Sequence, residues 1–174
     1  MAIEGKNAAR YFLKPEQLSD FMALIRTIVS GKVLIISTEH RTDLFYNSEA
    51  SHHEAILKSW QLYTTGKSKE QPIDLFTLKS GDKESLTWYF QAICRIAQNW
   101  YLYMIYRKAF HKAFGMDQQN SLAITIAQCD QHLLKQCGVD RLPLISPEDN
   151  ITMEYSDDNY ALAMLIKKEQ ERSN

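Results

Sequence analysis

Glu84 to Phe114, read ESLTWYFQAICRIAQNWYLYMIYRKAFHKAF, runs without Gly or Pro from a polar turn to Gly115. Leu86, Phe90, Ile93, Ala97, Trp100 and Met104 recur at alternating steps of three and four, the period of one helix face. Tyr89, Ile96, Tyr103, Phe110 and Phe114 widen the apolar surface beyond that stripe, so other segments must cover it on more than one side. The spacing predicts a single central helix over 84–114, roughly 45 Å long at 1.5 Å per residue.

Working outward, Pro15 suits the first turn of a helix, and Leu18, Phe21, Met22, Ile25, Ile28 and Val29 follow at helical spacing until Gly31. Lys32 to Asn47 changes character: VLIIS is β-branched and continuous, TEHRT is polar, and DLFYN is apolar at its middle. This segment is either a small β-hairpin over 33–46 or a helix-to-helix connection whose apolar residues cap the core. Ser51 and Glu54 have the spacing of a capping box before a helix over 52–65. Gly66 to Pro72 is the most linker-like passage. Asn120 or Ser121 can cap a helix that runs to Gly138, and VDRLPLI then reads as an extended connector. Ser146-Pro147-Glu148-Asp149 has the form of a helix start. Ser156 or Asp157 can open the last helix. Residues 1–13 and 167–174 are expected to be loose ends.

The expected fold is therefore a mainly α, single-domain bundle of about five or six helices around the central one, with at most one small hairpin. A length of 174 residues suits one domain. The formal charge of -1 supplies no global attraction to nucleic acid or an anionic membrane. Cys94, Cys129 and Cys137 are odd in number and form no CxxC. Cys129 and Cys137, about 12 Å apart along a helix, are too distant to bond to each other. Reduced thiols, an opening without a secretory signal and apolar runs too short to span a bilayer lead to the expectation of a cytoplasmic protein.

Chemistry-bearing residues are sparse. Glu39, His40, His52, His53 and Glu54 are of suitable ligand types, but no spacing puts two of them on one helix face, and no metal or cofactor is expected. The six glycines are scattered singly, which excludes a Gly-rich phosphate loop. Arg107 and His111 are four apart on one helix face, with Lys108 and Lys112 beside them and no acid from Ser85 to Met116. An arginine can hold a phosphate and a nearby histidine can move a proton. The pair is similar to the arginine–histidine motif of the all-helical HEPN ribonucleases, with one fewer intervening residue than that motif's shortest form. The simpler reading is that the bases complement the carboxyl end of the helix. The acids Glu148, Asp149, Glu154, Asp157 and Asp158 can pair with this basic end or with a partner, or form a solvated loop.

Surplus aromatic surface then leads the functional reading. Trp60, Tyr63, Trp100, Tyr101 and Tyr103 are of the kind that anchors interfaces when left open. The expectation is a non-enzymatic interaction or adaptor subunit of a larger assembly, binding another protein or itself. The alternative is an RNA-binding module or RNase-like enzyme, with Arg107 and His111 catalytic and Arg107, Lys108 and Lys112 holding nucleic acid.

Overall fold

Val33 to Ile36 is a run of four aliphatic residues with no polar alternation, the pattern of a strand buried on both faces. The computed structural model, which describes residues 1–66, 73–137, 141–146, 149, 153 and 156–172, places it in such a strand. The chain is mainly α with a small antiparallel sheet. Its packing groups it into two compact units, 1–78 and 79–174, each described by itself. The linker-like 67–72, together with Pro147, Glu148 and Glu154, lies outside the described residues.

The first unit begins with β1 (Ala2–Glu4), a 3-10 turn at Lys6–Tyr11 and another at Pro15–Gln17 that leads into α1 (Leu18–Val29). Then follow β2 (Val33–Ser37), β3 (Arg41–Tyr46), α2 (His53–Thr65) and β4 (Phe76–Thr77). The hairpin reading of 33–46 is the one adopted, with Ile35 opposite Leu44 and Ile36 opposite Asp43. Its turn is held by Thr38, whose Oγ1 accepts from the backbone N–H groups of His40 and Arg41 at 3.2 and 3.0 Å.

Residues 1–13 are not a loose arm. β1 is an interior strand in the order β2-β3-β1-β4, pairing Ile3 with Thr42 on one side and Phe76 on the other. Ala2 and Ile3 are buried in this strand, and Ala8, Tyr11 and Leu13, in and after the 3-10 turn that follows it, are buried in the same hydrophobic core as Ile3. One face of the sheet, with Ile3, Val33, Ile35, Leu44 and Phe76, packs with Phe21, Ile25 and Val29 of α1 and with Ile56 and Trp60 of α2. Leu34, Ile36, Arg41 and Asp43 are buried on the other face. There Arg41 grips Asp43 through Nε and Nη2 at 2.7 and 2.6 Å and reaches Glu4 with Nη1.

Two sequence signals work differently from their usual sense. The α1 helix ends at Val29, with Ser30 left-handed at φ 51° as its cap, and Gly31 serves close approach instead. A Cβ there would sit 2.3 Å from the Asn47 carbonyl oxygen. The Ser51–Glu54 capping box does not form: His52 is the cap residue and no side chain caps the helix. Tyr46 Oη accepts from the His52 N–H at 3.2 Å, and Glu54 pairs with Lys58 at 2.5 Å.

In the second unit the single helix over 84–114 is corrected to two, α3 (Asp82–Ala97) and α4 (Trp100–Met116). Asn99 is the reason. Its backbone leaves the helical region at φ -113°, ψ 103°, and its Oδ1 accepts from the Leu102 N–H at 3.2 Å. A short polar side chain competes with the helix in this way and suits a cap better than an interior. The apolar stripe therefore restarts in a new phase. In place of Ala97, Trp100 and Met104, the buried line in α4 is Tyr103, Tyr106, Phe110 and Phe114. Tyr106 donates to the hydroxyl of Tyr89 on α3 at 3.2 Å. Replacing Asn99 by alanine is expected to cost about 1 kcal/mol, the usual effect of a lost cap. Denaturant melts followed by circular dichroism test it, and a loss below a few tenths of a kcal/mol would count against the cap.

Helices α5 (Ser121–Cys137) and α6 (Asp157–Arg172) complete this unit, with α6 packed against both α3 and α5. Asn120 caps α5, its Oδ1 accepting from the Leu122 N–H at 3.1 Å. The expected loose end over 167–174 is helical as far as Arg172, while 173 and 174 lie outside the described residues. Ile166 is buried, and Glu169 pairs with Lys83 of α3 at 2.5 Å, which holds the last turns in place.

Candidate functional site

Among the described residues the segment 141–146 pairs with no strand, so its buried backbone groups need side chains to satisfy them. Helices α4 and α5 supply these. Tyr103 Oη donates to the Leu142 carbonyl, Arg107 Nε to that of Pro143 at 2.7 Å, and Gln131 Nε2 to that of Ile145 at 3.3 Å. Asp130, fully buried on α5, accepts from the Leu144 N–H at 2.7 Å with one oxygen and from Arg141 with the other. Arg141 also donates to Tyr103 Oη at 2.9 Å and lies against the tyrosine ring.

Burial pushes the Asp130 carboxyl above its usual range, against the pull of Arg141 and the Leu144 N–H. For Arg141, burial works against the charge but Asp130 and Tyr103 outweigh it and raise its pKa. Both oxygens of Asp130 accept hydrogen bonds, the arrangement of an ionised carboxylate paired with a guanidinium. Tyr103 is pushed up to about 12 by burial, with Arg141 opposing. Sequence reasoning gave this pair no weight. Its only signal is an acid, Asp130, on the apolar stripe of α5, with an arginine eleven residues on.

The basic end of α4 is arranged differently from either expectation. The helix continues to Met116, so its last turn holds no base and the helix-end explanation does not apply. Arg107 Nη2 lies 3.0 Å from Asp149 Oδ2, and His111 Nε2 lies 3.1 Å from the same oxygen without hydrogen-bonding alignment. The Ser146 N–H also donates to Asp149 Oδ2, at 2.6 Å. Arg107 and His111 are thus brought together, and they are brought together on a carboxylate of the same chain. Lys108 and Lys112 are exposed, and neither has an ion-pair partner among the described residues.

The five aromatic anchor candidates separate by burial. Trp60 and Tyr103 are core residues, each 0% exposed, and cannot meet a partner without unfolding. Trp60 donates from Nε1 to the Tyr11 carbonyl at 2.9 Å and packs against Phe21 and Phe76. Tyr63 is half-buried against Phe21. Trp100 and Tyr101, side by side at the start of α4, are 58% and 67% exposed. Periodicity across 84–114 assigns Trp100 to the core, and only the cap at Asn99 reverses that.

Glu39 and His40 sit 3.3 Å apart in the exposed hairpin turn, while the rings of His52 and His53 lie against Tyr46. Among the described residues no group of three or more His, Cys, Asp and Glu is placed to hold a metal ion. No described helix is long and apolar enough to cross a membrane. Cys94 and Cys129 are free thiols, and the Cys137 side chain lies outside the description. Burial, aided by Asp130, pushes the Cys129 thiol up to about 12. A thiol raised in the fold from about 8.5 in the unfolded chain stabilises below that value, and this contribution is lost as pH rises towards 12. Native labelling with a maleimide should modify half-buried Cys94 well before Cys129, and Cys129→Ala should flatten the fall in stability above about pH 8.5. Equal labelling rates would count against it.

Set beside protein families, curated proteins and solved structures, the chain matches none of them.

Proposed function

We propose that this chain is a non-enzymatic binding subunit, an adaptor that meets another protein, or a second copy of itself, through the start of α4. The observation that supports the reading is the adjacent exposure of Trp100 and Tyr101 on a helix whose opposite face is fully packed. Large, rigid aromatic side chains left in water are the residues that most often dominate binding energy. A cytoplasmic setting goes with this reading, on the strength of free Cys94 and Cys129.

Light scattering coupled to size exclusion, with pull-down by the tagged chain, tests the proposal. Association should weaken roughly thirtyfold in Trp100→Ala/Tyr101→Ala, the effect of losing about 2 kcal/mol at a hot spot. A chain that remains monomeric and recovers no partner overturns it. The alternative, RNA binding or cleavage at the basic end, has exposed Lys108 and Lys112 to meet phosphate. It also requires Arg107 and His111 to leave Asp149, and this places it second.

A further inference from the structure

Resting on that reading, we infer that the occupant of the α4 surface is helix α6 of a second copy of this chain, lying antiparallel with Leu165 against Tyr101 and Asp158 against Lys108. At 100° per residue, Tyr101, Ile105, Lys108 and Lys112 fall within a strip about 60° wide. On α6, Asp158, Ala161 and Leu165 fall within a strip of the same width, about 60°. All of these residues are exposed except Ile105, which is half-buried. Each strip faces away from the buried side of its helix, marked by Tyr103 and Phe110 on α4 and by Ala163 on α6. Trp100 stands about 100° round from Tyr101, at the rim of the strip.

The two strips match in spacing and in sign. Tyr101 precedes Lys108 by seven residues and Leu165 follows Asp158 by seven, about 10.5 Å along each axis. With the helices antiparallel, apolar meets apolar at one end, acid meets base at the other, and Ile105 meets Ala161 between them. The parallel arrangement sets Asp158 against Tyr101 and Leu165 against Lys108, so the pattern fixes the direction. Lys112, one turn beyond Lys108, lies towards the end of α6 that carries Asp157. Lys168, three residues beyond Leu165, lies at the aromatic end, where a cation is favoured over the face of Trp100 or Tyr101.

Asp157 and Asp158 also have a local reason, since carboxylates in the first turn complement the dipole of α6. That reason does not reach Leu165, two turns further on and 50% exposed. Helix α6 packs against α3 and α5, and α4 packs against α3, so both strips stand on outward faces of one compact unit. A formal charge of -1 sets little repulsion between two copies. One chain thus carries both halves of the contact, and this favours a second copy over a separate protein.

Sedimentation velocity of the full chain across a concentration series tests the contact. The wild-type chain should associate, and less tightly as salt is raised. Lys108→Glu/Lys112→Glu and Asp157→Lys/Asp158→Lys should each weaken association at least about tenfold, because like charges then face each other. Mixed in equal amounts, the two variants should associate again, since every contact between them pairs opposite charges. Leu165→Lys, at an exposed position, should weaken association by itself, and it decides the matter where circular dichroism shows that the aspartate variant has lost helix. A wild-type chain that stays monomeric overturns the inference. So does association unmoved by Leu165→Lys, or a mixture of the two folded charge variants that fails to associate. A monomeric chain that recovers another protein through Trp100 and Tyr101 removes the second copy and retains the binding-subunit reading. A monomeric chain that recovers no partner removes both.

Discussion

Trp60→Ala is expected to lower the stability of the first unit by about 3–5 kcal/mol, the cost of truncating a fully buried large aromatic. Trp60 has no exposed surface, and its ring stands 5.7 Å from that of Phe21 and 5.2 Å from that of Phe76, centroid to centroid. It therefore joins α1, α2 and β4 at one point. Truncation removes the area term, leaves a void that rigid neighbours cannot close, and strips the Tyr11 carbonyl of the 2.9 Å bond from Nε1. Trp60→Phe should recover most of the packing but not the hydrogen bond, and fall between the two. Denaturant unfolding read by amide exchange at Ile25, Ile35 and Leu44 isolates this unit. A loss below about 1 kcal/mol would show that the site collapses freely and that Trp60 does not organise the core.

Trp60 and Trp100 mark where sequence periodicity succeeds and where it stops. Ile56, Leu57 and Trp60 lie on one helix face in the sequence and are buried together. Trp100 lies on an equally regular face, yet one hydrogen bond that Asn99 accepts from the Leu102 N–H resets the phase and leaves it in water. Periodicity sees propensity summed over many residues, whereas a cap acts through a single one. The hairpin over 33–46 was legible only as one of two readings, because a short continuous aliphatic run also suits a connection that caps the core. β1 was not, because a three-residue strand gains its stability from β3 and β4, and neither partner is visible locally. The same locality hides the Arg107–Asp149 and Asp130–Arg141 pairs, whose members stand 42 and 11 residues apart. Charge types can be read from a chain, but pairing across a turn of unknown path cannot.

The buried pair carries the second large effect. Asp130→Ala is expected to cost about 3–5 kcal/mol, because it leaves the Arg141 guanidinium buried without its counter-charge. Arg141 already has a buried Nε with no hydrogen-bond partner, so it has little capacity to compensate. The Leu144 N–H loses its acceptor in the same change. Asp130→Asn should be milder, since the amide oxygen can still accept one of the two bonds, though the charge is gone. The decisive comparison is Asp130→Ala combined with Arg141→Met. Removing both charges abolishes the unpaired cation, so the double variant should be more stable than Asp130→Ala alone and recover about half of the loss or more. A double-mutant cycle in urea gives the coupling. If the two losses simply add, Asp130 and Arg141 do not depend on each other, and the fastening of 141–146 must rest on Tyr103, Arg107 and Gln131.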